Sequence, residues 1–200
     1  DLKVELDLNS NPSEFKGDNL PVEQVNWFEA VEFCQRLSRL TGKNYKLPSE
    51  AQWEYACRAI QNEAQLYPPF HYGETLTSDL ANYRAIRIYA DEAEGEYREQ
   101  TTLVRQFDPN AFGLYDMHGN VWEWCEDDWH ENYQDAPTDG SARSKMGKKP
   151  QKDSYSVLRG GSWYAYPVVC RSACRNIYTG RDYRNDYIGF RVLCVVGRTR

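Results

Sequence analysis

A chain of 200 residues, 40% of them hydrophobic, is long enough to bury one core, and no shift in composition along it marks a second complete domain. Its net charge of −6 offers no basic field for a phosphate backbone, which sets nucleic acid aside as a partner. No apolar run is long enough to cross a bilayer and Asp1-Leu2-Lys3-Val4 carries no signal-peptide pattern, so a soluble domain without membrane insertion is expected; a cytoplasmic piece of a larger chain is compatible with the missing initial Met.

The first element is a helix. Asn26 precedes a run in which Trp27, Ala30, Val31, Cys34 and Leu37 recur at helical spacing, Glu29 stands where it closes a capping box, and Gly42 supplies a stop. A second helix follows Pro48, with Ser49 as N-cap, Gln52 closing the box, and Trp53, Ala56, Cys57 and Ile60 on one face. Beyond it the helical pattern fades, and Pro68-Pro69, Gly73 and Gly95 mark long connections. Short strands are expected near Val104, at Val121-Trp122-Glu123-Trp124, at Ser156-Val157-Leu158-Arg159 and at Phe190-Arg191-Val192-Leu193. Lys145, Lys148, Lys149 and Lys152 crowd around Gly147 and Pro150, as in an exposed basic loop. Two early helices followed by loops and short antiparallel strands describe an irregular α+β domain, a single unit over residues 1–200.

Six cysteines are too few for a disulfide scaffold in a chain of this length, and Cys34, Cys57 and Cys125, set among apolar neighbours, read as buried free thiols. Of the three histidines, His71, His118 and His130, none shows a helical metal-ligand spacing; His118 reads as a packed turn residue and His130 as a surface one. No Ser-His-Asp order, P-loop or dinucleotide fingerprint is present.

Several separated blocks nevertheless form one pattern: Gln24-Val25-Asn26-Trp27 with Ala30 and Cys34, Leu47-Pro48-Ser49-Glu50-Ala51-Gln52-Trp53-Glu54, Asn110-Ala111-Phe112-Gly113-Leu114-Tyr115-Asp116-Met117, Gly119-Asn120-Val121-Trp122-Glu123-Trp124, Arg159-Gly160-Gly161-Ser162-Trp163 and Gly189-Phe190-Arg191. From about residue 20 onward the chain resembles the domain shared by formylglycine-generating (sulfatase-modifying) enzymes and their relatives, and the resemblance implies a C-type-lectin-like fold. It specifies function less closely, because that fold serves copper oxidases acting on protein cysteine, iron-dependent sulfoxide synthases and non-catalytic binders.

The oxidase implied by the resemblance needs two thiolates shortly after Gly-Gly-Ser, with four residues between them, to hold copper and capture the substrate cysteine. Ala165 fills the first position. Cys170 falls on the second when counted forward from Ser162, but not when counted back from Arg171-Ser172-Ala173-Cys174-Arg175. No catalytic residue is therefore assigned. Asp116, Gly119, Val121 and Glu123 match the positions at which the resembling family holds a structural calcium with hard oxygen ligands. The alternative is Asp116 as a turn residue and Glu123 paired with an arginine.

Residues 164–188 contain no Lys, Glu, Gln, Met or Trp. The Tyr, Ala, Val, Cys, Asn, Ile, Thr, Gly and Asp between Arg171, Ser172, Ala173 and Arg175 are all reachable from an Asn codon by changing its adenines alone. In this the segment resembles the variable region of a diversity-generating retroelement protein. The resemblance implies a ligand-binding face on a rigid scaffold: Tyr164, Ala165, Tyr166, Val168, Val169, Cys174, Asn176, Ile177, Tyr178, Tyr183, Asn185, Asp186 and Tyr187, with Trp163, Arg171, Arg175 and Arg191 as scaffold. The ligand is expected to be a protein of no specified identity. An undiversified binding relative is the alternative.

Overall fold

The computed structural model describes residues 6–61, 67–144, 154–176 and 180–195. Both capping boxes form. The Asn26 carboxamide accepts from the Glu29 N–H at 3.0 Å while the Glu29 carboxylate accepts from the Asn26 N–H at 2.8 Å, and α1 runs Trp27–Thr41 until Gly42 closes it at φ +70°. Ser49 and Gln52 make the same reciprocal pair at the start of α2, Glu50–Arg58. Ala59 ends α2 in a left-handed conformation at φ +47°, so Ile60, expected as the last residue of its apolar face, lies beyond the helix.

The strands are short and arranged in two sheets. β1 (Asn44–Lys46), for which the sequence gives no signal, pairs antiparallel with β5 (Leu193–Val195). β2 (Trp122–Asp128) lies between β3 (Ser156–Arg159) and β4 (Ile188–Gly189), antiparallel to the first and parallel to the second. The expectation of antiparallel pairing alone is thus corrected at β4. The strand expected over residues 190–193 is divided: the chain leaves β2 after Gly189 and joins β1 at Leu193, and the Arg191 side chain between them turns inward to Glu123. No strand forms at Val104, which sits in a turn tied by its N–H to the Asn19 carbonyl at 2.8 Å. The lysine loop at residues 145–152 lies outside the described residues.

Side-chain alternation on β2 separates the core into two sides. Trp122 and Trp124 pack with Trp27, Ala30 and Cys34 of α1, while Cys125 packs with Trp53 and Cys57 of α2. A third cluster, Phe70, Leu76, Ala81, Tyr83, Ala85 and Cys170, joins the long connection to the C-terminal segment. The buried indoles keep their hydrogen bonds: Trp27 Nε1 donates to the Cys125 carbonyl at 2.9 Å and Trp124 Nε1 to the Val25 carbonyl at 3.1 Å. Cys34, Cys57 and Cys125 are buried and free.

Removing the side-chain half of the first capping box with Asn26→Ala is expected to lower unfolding free energy by about 1 kcal/mol, read as a shift in denaturant midpoint with no change in slope.

Candidate functional site

Four arginines fasten the C-terminal segment to the rest of the molecule. Arg159, fully buried, binds the Glu54 carboxylate and the Cys174 carbonyl. Arg175 makes a bidentate pair with Glu50 at 2.5 and 2.9 Å, between the rings of Trp129 and Tyr133. Arg181 donates to Asp128 at 2.8 Å and to Ser156 at 2.6 Å, over the Trp27 ring. Arg191 clasps Glu123 at 2.5 and 2.7 Å. Trp163 is also inward, its Nε1 on the Asp186 carbonyl at 3.1 Å. Arg171, expected among the scaffold, instead stays half-buried and donates to the Val168 carbonyl.

With these anchors turned in, the side chains between them face out. Tyr164, Tyr166 and Val168 are 50%, 38% and 48% exposed, the last lifted by a single 3₁₀ turn over Pro167–Val169. Tyr164 lies parallel to Tyr187, with centroids 5.8 Å apart. The Tyr187 hydroxyl is 3.1 Å from that of Tyr183, to which Asn185 Nδ2 donates at 2.8 Å. These residues form one patch. Ala165, Val169 and Cys174 lean inward against the α1 cluster, small enough to fill its edge. The Asn176 backbone bonds Leu158 in both directions, beside β3. Asp186 is half-buried, and burial together with Glu14 holds its carboxyl above the usual range. Ile177 and Tyr178 lie outside the described residues.

The same patch includes three residues that the sequence reading missed. The Arg84 N–H donates to the Ala165 carbonyl at 2.9 Å, bringing the long connection against the segment. The Arg84 guanidinium lies 5.4, 5.3 and 5.2 Å from the ring centroids of Tyr97, Tyr164 and Tyr166, and Arg87 lies 5.6 Å from that of Tyr166. Tyr and Arg clustering in residues 83–98 is the only local signal; the contact depends on topology.

The thiols are poorly set for metal capture. Cys170 is fully buried in the third cluster, and Gly161, at φ +81°, leaves no room there for a Cβ against its Sγ. Burial pushes the Cys170 thiol far above its ordinary range and raises that of Cys174 too, so the thiolate needed for copper is disfavoured at both. Cys57 Sγ stands 3.7 Å from His118 Nε2, but that nitrogen already accepts the His71 backbone N–H at 3.0 Å, while His118 Nδ1 donates to the Cys170 carbonyl at 2.7 Å. Burial holds the imidazole neutral, its pKa down at about 3, and pushes the Cys57 thiol up to about 12. This is a packed pair with no activated nucleophile. His130 is half-buried, and its carbonyl accepts from Arg175 at 2.7 Å.

Among the described residues no three His, Cys, Asp or Glu side chains gather around a metal-sized point. The oxygen set is of another kind, two carboxylates and two backbone carbonyls. Asp116 sits in a turn at φ +55°; its Oδ2 accepts the Arg105 N–H at 3.0 Å, and its Oδ1 is buried without a hydrogen-bond partner. Burial raises its carboxyl. Glu123 is paired with Arg191, and its Oε2 also accepts Trp53 Nε1 at 2.6 Å, which leaves one acceptor position on Oε1. Gly119, at φ +83°, must be glycine because a Cβ would meet the Asn82 carbonyl.

Residues 3–196 match the model of the sulfatase-modifying factor enzyme 1-like domain. The formylglycine-generating enzyme of Mus musculus is 32% identical over 180 residues, covering 86% of this chain and 44% of that protein. Serine/threonine-protein kinase pkn1 of Chlamydia pneumoniae is 32% identical over 171 residues, 86% of this chain and 23% of that one. The chain therefore spans less than half the length of these two curated relatives. Among solved structures, PvdO from Pseudomonas aeruginosa aligns with a TM-score of 0.70 and 34% identity over 91% of this chain and 64% of its own. Treponema denticola variable protein 1 aligns at 0.67 and 26%, over 92% and 77%. No helix among the described residues is long and apolar enough to cross a membrane.

The neutral buried histidines set a pH dependence. Their folded pKa values, about 4 for His71 and about 3 for His118, lie below the ordinary 6.5, so the unfolded chain takes up protons first as pH falls. Their contribution is complete above about pH 6.5 and is lost as pH falls toward those folded values. His118→Asn is expected to flatten the stability profile between pH 6 and 4 by up to about 1.4 kcal/mol per pH unit, measured by urea unfolding across that range.

Proposed function

Because this chain belongs to the sulfatase-modifying factor enzyme 1-like family, we propose that it uses the family fold as a rigid platform for ligand binding without turnover, and that residues 164–188 carry its ligand face. The observation that carries this reading is the division between inward and outward groups: of the thiols that copper chemistry would need, Cys170 is buried and Cys174 half-buried, and desolvation favours the protonated form of both, whereas Tyr164, Tyr166 and Val168 face outward. Tyrosine supplies contact area at little entropic cost, and Asn185 beside it supplies an adaptable polar contact.

We further read this face as sequence-diversified. Two observations support it: the residue types in 164–188 are those reachable from adenine-substituted Asn codons, and the fold aligns with Treponema denticola variable protein 1 over most of both chains. The fastened arginines suit such a role, since they hold the backbone independently of what the exposed positions carry. A protein ligand fits a face rich in tyrosine and arginine, the residue types enriched where proteins meet.

The competing reading, oxidation of a protein cysteine, draws on the 32% identity to formylglycine-generating enzymes. Deep sequencing of the codons for residues 160–191 in the source population, read through into the adjacent genome, is expected to show substitutions confined to adenines beside an invariant template copy. A uniform sequence without template, together with oxidation of a cysteine peptide by the Cu(I)-treated protein, would decide for the enzyme.

Asp116 and Glu123, with the carbonyls of Gly119 and Val121, would hold a structural calcium ion; the unpartnered Asp116 Oδ1 and the free position on Glu123 Oε1 suit a hard cation. When bound, calcium would neutralise Asp116 and fix the turn before β2. Calcium at a hundredfold above its Kd is expected to stabilise the protein by about 2.7 kcal/mol, a gain reversed by chelator and absent in Asp116→Ala. An unfolding midpoint that chelator leaves unchanged removes the assignment.

A further inference from the structure

Arg84 and Arg87 lie outside residues 164–188 but meet the patch formed by that segment. The Arg84 guanidinium is enclosed by the rings of Tyr97, Tyr164 and Tyr166, and its Nε–H is buried with no hydrogen-bond partner. Neither arginine forms an ion pair among the described residues, whereas Arg181, Arg184 and Arg191 are paired with Asp128, Glu29 and Glu123. A buried donor without an acceptor is costly, and aromatic rings satisfy only the faces of a guanidinium, leaving its in-plane N–H groups unmet. Two of the three covering rings, Tyr164 and Tyr166, are themselves half-exposed side chains, so the cover is removable without backbone movement.

We infer that Arg84, assisted by Arg87, is a constant carboxylate-binding anchor at the centre of the ligand face, and that the partner presents an acidic protein segment to it. This rests on the proposed binding function above and specifies its ligand. A planar guanidinium between aromatic rings is preorganised to take a carboxylate edge-on with two parallel hydrogen bonds. The residues at 164 and 166 then regulate access: large aromatics cover the anchor, while smaller residues open it. The partner's class therefore persists while its detailed shape is free to change.

The test is selection of a random peptide library displayed on phage, run in parallel on the wild-type protein, Arg84→Gln, Arg84→Lys and Arg87→Gln, with thermal midpoints measured for each. The expected result is wild-type selection of peptides rich in Asp and Glu whose affinity falls with added salt and drops at least about tenfold in Arg84→Gln. Arg84→Lys should recover only part of that affinity, since it restores charge without the planar fork. Should Arg84→Gln fail to fold, Arg87→Gln, at an exposed position, is expected to show the same loss of acidic preference in a smaller degree. Peptides with no acidic bias that bind wild type and both Gln variants equally would overturn the anchor and leave the binding face standing. No enrichment on any variant would overturn the binding function itself. Titration of the same proteins with a fluorescent single-stranded oligonucleotide is expected to show no binding; binding of it in place of acidic peptides would overturn the inference.

Discussion

The structure depends on arginine–carboxylate pairs taken out of water. Its strands run two to seven residues and its connections are long, so backbone ladders alone specify little of the C-terminal path. That path is defined instead by Arg159 on Glu54, Arg175 on Glu50, Arg181 on Asp128 and Arg191 on Glu123. Desolvating such charges offsets most of their attraction, which makes them weak as a source of net stability. Their effect is selective: an alternative path that separates one arginine from its carboxylate leaves both charges buried and unpaired. All four carboxylates lie on elements that assemble the core, Glu50 and Glu54 on α2 and Glu123 and Asp128 on β2. The pairs thus join the first half of the molecule to the last.

This arrangement separates support from display. Along residues 159–191 Arg159, Arg175, Arg181, Arg191 and Trp163 point into the protein, while Tyr164, Tyr166 and Val168 point away. A side chain on the outer set contributes little to the core, and its replacement leaves the four pairs in place. The residues that lean inward, Ala165, Val169 and Cys174, are small, so they fill the margin of the α1 cluster without large cavities. Asp116 precedes the central strand β2 and Glu123 lies on it.

What could be read from the sequence is what is local. Both capping boxes and the glycine stop of α1 depend on residues within four positions of each other, and they form as the spacing predicts. The β2 and β3 strands are legible because their tryptophan and aliphatic runs have few other uses. β1 and β4 were not, since strands of three and two residues have no periodicity; their partners alone define them. The candidate face was legible in part: composition located Tyr164, Tyr166, Tyr183 and Tyr187, but no pattern at residues 164–188 points to Arg84, which reaches them through one backbone hydrogen bond across the fold. Glu123 illustrates the same limit. Its place in a family motif does not reveal how much of its carboxylate is already committed to Arg191 and Trp53.

The pairing of β1 with β5 carries a consequence for the order of assembly. Asn44 finds its partner at Val195, so the smaller sheet stays open until almost all of the described chain is present. During synthesis α1 can form early, because its caps are local, but the edge of β1 must wait with its backbone groups unmatched. Closure over so long a loop is slow to nucleate and falls late in folding. β5 therefore acts as a late latch that covers the waiting edge of β1.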